Sequence, residues 1–392
     1  MQKKAKKTIN NSKKPFDFIL CIIIFLLLSL GIVMVLSASA PSSLSDYGTS
    51  YHYVVRQGGF AVVGIAVMLF VSKIDYHIYK KFYKIAYWFG VAALLLVVVP
   101  KIGVEINGAK RWADLGFGTF QPSEITKICL IIFYAGYLTD HKNELNNFWK
   151  GCIKSFVPLI IPIGILFFLQ DHLSASIVII MITSIMMVMA GIKISHFLTI
   201  GITGGSAAVA GMLLLAMAKG KGGFRIARIT SFLDPWADAK GSGWQVIQGL
   251  YAIGSGGLFG VGLGQSKQKY LYIPEPHNDF IFAIIAEELG FIGCLAVIAL
   301  FAVFIWRGLL ISMKAQDSFG SLVAVGITSL VGVQAIINIA VVTSSMPATG
   351  MSLPFISYGG TALLILLFSM GILLNISRSN SKVWHIGEVH NV

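Results

Sequence analysis

Charge is what this sequence has least of. Only 12% of its 392 residues are Asp, Glu, Lys or Arg, about half the share of a typical soluble domain. Acids are scarcer than bases, 17 against 30, which gives a net charge of +13. So few charges cannot clothe a water-exposed surface, and a soluble globular protein is excluded. Cysteine is also scarce. The four, Cys21, Cys129, Cys152 and Cys294, show no metal-site spacing, and none falls in a predicted outer loop, so no extracellular disulfide is implied. The glycine-rich run Gly254–Gln265 lacks the Lys-Ser/Thr ending of a nucleotide-binding P-loop.

What fills the chain instead is apolar sequence, 56% of it. A membrane-crossing helix needs about 20 apolar residues. Ten runs qualify: about 16–36, 54–72, 83–99, 122–138, 156–169, 173–190, 197–218, 280–304, 321–342 and 356–376. The expected fold is therefore an all-α polytopic membrane protein of about ten transmembrane helices, with a large extracellular loop, 219–278, between the seventh and eighth. Residues 1–15 form a basic tail, 16–378 the membrane domain and 379–392 a second tail. The first run follows lysines and precedes "SASAP", as in a signal peptide. At about 21 residues, with nine more spans behind it, it reads as an uncleaved helix.

Ten spans place both termini on one side. Six lysines of the first tail and eleven Lys or Arg of alternate loops and the last tail make seventeen basic residues there. By the positive-inside rule that side is cytoplasmic. The positive charge is then mostly topology, and nucleic-acid binding is not needed to explain it. One outer segment departs from the rule: 219–278 carries Lys219, Lys221, Arg225, Arg228, Lys240, Lys267 and Lys269. Long loops translocate regardless of charge; the alternative is an anionic ligand such as a phosphate or lipid head group. In the same segment Trp244, Ile247 and Tyr251 recur at helical spacing, which predicts a short helix on the outer surface. The glycine run after it either packs a loop or cradles phosphate.

Three stretches carry polar groups where lipid makes them costly. In "IPEPHNDFIFAIIAEELG" two prolines hold the chain extended, and the eighth helix is expected to start near Asn278 or Asp279. Asp279 is either the helix N-cap, worth about 0.5–2 kcal/mol, or a general base facing an outer cavity. Glu287 and Glu288, deeper in that helix, read as paired structural charges, with coupling of one of them to Asp279 as the alternative. In "NGAKRWADLGFGTFQPSEITKI" Glu124 and Lys127 share a helix face, as a pinning ion pair or as part of a cavity, with Lys110 and Arg111 in the loop before them. "SSMPATGMSLPFISYGGTALL" breaks the chain before the last helix, as backbone does where it lines a cavity or makes a rigid turn.

These stretches, with "FLDPWADAKGSGWQVIQ" and "GGLFGVGLGQSKQKYLYIPEPHNDFIF", resemble the signature motifs of the SEDS family, the shape, elongation, division and sporulation proteins FtsW, RodA and SpoVE. The likeness covers nearly the whole chain, and the last stretch is more like the division and sporulation branch. It implies a peptidoglycan glycosyltransferase of the bacterial cytoplasmic membrane. Such an enzyme polymerises lipid II, a disaccharide-pentapeptide on undecaprenyl pyrophosphate, beside a class B penicillin-binding protein. It implies Asp279 as the essential acid and an inverting transfer from the lipid pyrophosphate. The leaving group would be met by Arg225, Arg228, Lys110 and Arg111, with Glu124 and Lys127 at the substrate cavity. A divalent cation such as Mg2+ is compatible with this chemistry, and no residue is assigned to one. Two positions depart from the family pattern. Asn278 stands where Thr is common, and "QDHLSAS" replaces a Pro-Asp-Leu/Phe-Gly-Thr turn. A lipid II flippase and a non-enzymatic division scaffold are the rival readings; no clear inverted repeat supports a transporter, and a scaffold needs no acid at position 279.

Overall fold

The structure, a computed structural model, describes residues 16–199 and 232–379, except 107, 108, 115, 117, 118, 242 and 271. Apolar sequence becomes helix here because a helix satisfies its own backbone in a medium that cannot. The long helices are α1 (Phe18–Tyr47), α2 (His52–Val71), α3 (Tyr83–Leu95), α4 (Pro122–Asp140) and α5 (Phe148–Leu169). They continue with α6 (Leu173–Met189), the short α7 (Trp244–Gly256), α8 (Ile281–Met313), α9 (Ser318–Val342) and α10 (Gly360–Ser379). Six of these are long and apolar enough to cross a membrane, and α3 and α6 are shorter apolar helices. The expected span at 197–218 lies outside the described residues beyond Thr199.

The mostly helical chain also carries one small sheet. Gly103–Ile106 (β1), Ala109–Asp114 (β2) and Thr119–Phe120 (β3) form a three-stranded antiparallel sheet in the order β1-β2-β3. Its strands are two to six residues long, too short to show as an alternating pattern. A second irregularity is α5, which passes through π, α and 3-10 turns around Pro158 and Pro162, because neither proline donates to the helix ladder.

The core runs through α9. Of its most apolar stretch 78% is buried, against 22% for α8, which puts α9 inside the bundle and α8 at its edge. Helix α8 starts at Ile281, two to three residues later than expected, with Phe280 at the N-cap. The chain before it is still in turns.

Helix α7 forms where expected. Tyr251 is exposed, and the buried side is Val246, Ile247, Gln248, Gly249, Ala252 and Gly256. Glycine decides this: a Cβ at Gly256 would lie 1.9 Å from the Ala286 carbonyl oxygen. The small-residue side can therefore approach α8 backbone to backbone.

Helix α8 is broken at Gly290 (φ 68°), and the glycine run closes the break. Val261 and Gly262 donate their N–H groups to the carbonyls of Glu287 (2.9 Å) and Glu288 (3.1 Å). Phe291 and Ile292 donate to Gly257 (2.9 Å) and Leu258 (3.2 Å). The glycines thus pack a loop, and these two N–H groups face carbonyls rather than an anion. Gly260 has φ 80°, and a Cβ there would lie 2.1 Å from the Glu288 carbonyl oxygen. Gly260→Ala is expected to lower the melting temperature in detergent by several degrees. Gly254→Ala, at a helical site with nothing within 4 Å, should leave it unchanged or raise it, since alanine gains roughly 0.5–1 kcal/mol of stability over glycine in a helix. Thermal unfolding of both variants checks this, and equal effects would remove the loop's role at the break.

Candidate active site

Asp279 stands in the turn just before the α8 N-cap and is half-buried. The N-cap position itself is held by Phe280, which makes no side-chain capping bond. The acid lies against the broken chain ahead of α10: a Cβ on Gly350 would be 3.9 Å from Asp279 Oδ2.

That segment, residues 346–359, is not helical, and other elements supply partners to its backbone. Ser174 Oγ of α6 donates to the Thr349 carbonyl (2.6 Å), and Asn338 Nδ2 of α9 donates to that of Met351 (2.6 Å). Gln57 of α2, fully buried, donates through Nε2 to the Ser357 carbonyl (3.2 Å) and accepts the Gly359 N–H through Oε1 (3.2 Å). The Tyr358 N–H donates to the His277 carbonyl (2.9 Å), which ties the segment to the approach of Asp279. Against α1, a Cβ on Gly31 would lie 2.3 Å from the Phe355 carbonyl oxygen, so only glycine allows this contact. Positive φ at the non-glycine residues Asp171, Glu275, Ser344 and Phe355 falls in or beside these meeting segments. Such strain persists only where the surroundings enforce it.

Glu124 and Lys127 are brought together at the start of α4. Lys127 Nζ donates to Glu124 Oε1 at 2.7 Å; the lysine is 1% exposed and the glutamate 17%. Glu124 also lines a pocket with Gln334 of α9 and with Ser352, Ser357, Tyr358 and Gly359 of the broken segment. The cavity is small, about 30 Å³, and its lining also includes the apolar Ile128, Leu330, Leu363 and Leu366. Asp279 and Glu124 therefore border one and the same segment.

Lys110 is exposed on β2. Arg111, next to it, donates through Nη2 to the Asp171 carbonyl (2.7 Å) and through Nε to that of Gln170 (3.4 Å). It thus holds the "QDHLSAS" turn, to which no role was assigned. Arg225 and Arg228 lie outside the described residues. Glu288 pairs with buried Lys269 (2.9 Å) and accepts from Ser37 Oγ (2.7 Å). Glu287 accepts from Ser266 Oγ and from the Lys267 N–H. Lys269 is accordingly one loop cation with a structural partner. Among the described residues no group of three or more His, Cys, Asp and Glu is placed to hold a metal.

Sequence reasoning missed Gln57, Gln334 and Asn338, although amides inside apolar helices are a legible sign of function. It also missed a ring cluster in which His277 packs on Tyr53 (4.4 Å between centroids) and Tyr358 (5.6 Å). Burial pushes the His277 pKa down to about 4, against a smaller upward pull from Asp46. The ring is therefore neutral near pH 7 and adds no charge beside the acid. A histidine depressed in this way favours the folded state fully above its ordinary pKa of about 6.5. That contribution is lost as pH falls from there through about 4.

A family description, cell cycle protein of the FtsW, RodA and SpoVE type, matches residues 18–382. The chain belongs to this family. It is 42% identical to stage V sporulation protein E of Bacillus subtilis over 94% of this chain and 99% of that one. It is 40% identical to the probable peptidoglycan glycosyltransferase FtsW of Trichlorobacter lovleyi over 93% and 95%. Among solved family structures, a chain of a peptidoglycan synthase complex, studied for its coordination of polymerization and crosslinking, superposes with a TM-score of 0.76 at 25% identity. That match covers 94% of this chain and 99% of the other. The rod shape determining protein RodA of Thermus thermophilus superposes at 0.65 with 24% identity, over 94% and 98%. The protein is thus a multi-pass membrane protein of this family.

The buried pair yields a stability prediction. Glu124→Gln strands the Lys127 ammonium beside Leu130, Ile131, Ile179 and Ile182, and removing one partner of a buried pair costs about 3–5 kcal/mol. The double change Glu124→Gln with Lys127→Met should recover most of that loss. Melting temperatures of the single and the double in detergent decide it; a double as unstable as the single would show that the pair does not act as a unit.

Proposed function

We propose that this chain is a peptidoglycan glycosyltransferase that polymerises lipid II on the outer face of the bacterial cytoplasmic membrane, with Asp279 as the general base. The carrying observation is the placement of Asp279: an acid outside the helix cap, half-buried, against the broken segment 346–359 that also walls the Glu124 pocket. Relatives named as peptidoglycan glycosyltransferases or sporulation proteins, matched over nearly their full length, support the substrate class.

In the reaction the 4-hydroxyl of one saccharide attacks the anomeric carbon of another. The new C–O bond forms as the bond from that carbon to the pyrophosphate breaks, and the centre inverts. Asp279 takes the hydroxyl proton; the undecaprenyl pyrophosphate leaves with the electron pair. Its charge is assigned to Lys110, Arg111, Arg225 and Arg228, because guanidinium and ammonium groups placed at a developing anion lower the barrier most. The Glu124 pocket mixes polar and apolar lining residues. Glu124 and Lys127 belong to this cavity in the proposal, so the stable double variant should still lack activity. The crosslinking partner is a class B penicillin-binding protein, a reading supported by the family member solved in a synthase complex of polymerization and crosslinking.

Asp279→Asn keeps the shape and removes the base. General-base contributions are typically 10²–10⁴-fold, so purified Asp279→Asn should fold normally and polymerise lipid II at least 100-fold more slowly. Near-normal polymer would sink the assignment. Orientation has its own check. With both termini cytoplasmic, a cysteine at Ala237, exposed in the segment before α7, should react with an impermeant thiol reagent outside intact cells. One at Ser318, exposed at the start of α9, should not. The reverse pattern would move the site to the cytoplasm.

A further inference from the structure

Asn338 lies in α9, near its end, with 1% of its surface exposed. Its Nδ2 donates to two backbone carbonyls, Asp279 at 2.7 Å and Met351 at 2.6 Å. Carbonyl oxygens only accept, so the amide orientation is forced, and both of its N–H groups are used. The Asp279 carbonyl needs such a partner. The Ala283 N–H, which a regular helix would direct at it, donates instead to Phe280 (2.9 Å). The Met351 carbonyl belongs to the broken segment, one residue past Gly350, which sits beside the Asp279 carboxylate. One side chain on the most enclosed helix thus locks the acid's backbone to the wall it faces. The amide oxygen has no hydrogen-bond partner among the described residues. A buried acceptor left unpaired costs about 1–3 kcal/mol, so the amide is a poor choice for packing alone.

We propose that Asn338 is a positioning residue for the glycosyl transfer: it sets where the Asp279 carboxylate stands relative to the segment 346–359. This rests on the reading of Asp279 as the base. Holding a base within a hydrogen bond of the proton it removes is worth a large factor, and a displacement of about 1 Å can cost roughly 100-fold. Asn338 touches no substrate in this assignment; its effect passes through Asp279.

The test compares Asn338→Ser with Ser174→Ala and Asp279→Asn, each purified and assayed for kcat and KM with lipid II and for melting temperature. A serine hydroxyl has one proton and cannot hold both carbonyls. Asn338→Ser should lower kcat by about 100-fold, with KM within twofold. Ser174 of α6 anchors the same segment at the Thr349 carbonyl (2.6 Å). Ser174→Ala should lower the melting temperature while kcat stays within twofold. If Asn338→Ser keeps its kcat, or if both variants lose kcat in parallel, Asn338 is a structural tie and the inference is overturned. Should Asn338→Ser fail to fold, Asn338→Gln, which keeps the amide but shifts it by one methylene, reads the same split; an unchanged kcat there overturns the inference as well. The arms stay separable. Activity in Asp279→Asn refutes the base, whereas an inactive Asp279→Asn beside a fully active Asn338→Ser refutes only the positioning.

Discussion

A backbone group inside a bilayer must find its partner in the protein, because lipid offers none. Helices meet this demand internally, and most of the chain is helix for that reason. The candidate site lies where the demand is met otherwise. At Gly290 the ladder of α8 fails, and the loop from Gly257 to Gly262 replaces the lost bonds one for one. At 346–359 the chain is not helical at all, and Gln57, Ser174, Asn338 and the Tyr358–His277 backbone pair stand in. Irregular backbone of this kind, braced from several helices, can present an acid in a fixed place without being a flexible loop.

The few charges follow the same economy. Glu288 and Lys269 are both buried, and each is satisfied further by hydroxyl or backbone groups around Ser37 and Ser266. Such closed networks are what make buried charge tolerable. Lys127 and Glu124 differ. Their bond is short, but the lysine otherwise lies among Leu130, Ile131, Ile179, Ile182 and Thr183, and the glutamate opens onto a pocket. The first network fastens the segment around Ser266 and Lys269 to α1 and α8. The second pair has one charge enclosed and one presented, a division that suits a cavity wall more than a strut.

The membrane class and the described spans were legible because length and apolarity alone dictate them; Glu124 and Lys127 were legible because three residues in a helix define a shared face. The small sheet was not, since strands of two to six residues carry too little pattern. Helix α7 was legible from its spacing; that Gly256 admits the α8 backbone was not, because only the fold shows which backbone approaches it. The start of α8 was placed two or three residues early, because prolines and Asn-Asp signal a helix start without saying that turns continue to Phe280. Asn338 and Gln57 joined elements 59 and 300 or more residues apart, and no local pattern in a single sequence encodes a partner at that distance.

The late start of α8 has a chemical consequence. An aspartate at a helix N-cap gives its oxygens to backbone N–H groups, which favours its charged form and makes it a worse proton acceptor. It is also worth about 0.5–2 kcal/mol to the helix. Here the cap is a phenylalanine, which has no acceptor to offer, so α8 forgoes that stabilisation one residue away from a suitable acid. The turn that keeps Asp279 out of the helix is held by the Asn338 amide and by the Tyr358–His277 backbone bond. A fold selected for stability alone would let the helix begin one residue earlier and take the cap. Holding the acid outside the helix is what the proposed role of Asp279 as a general base calls for.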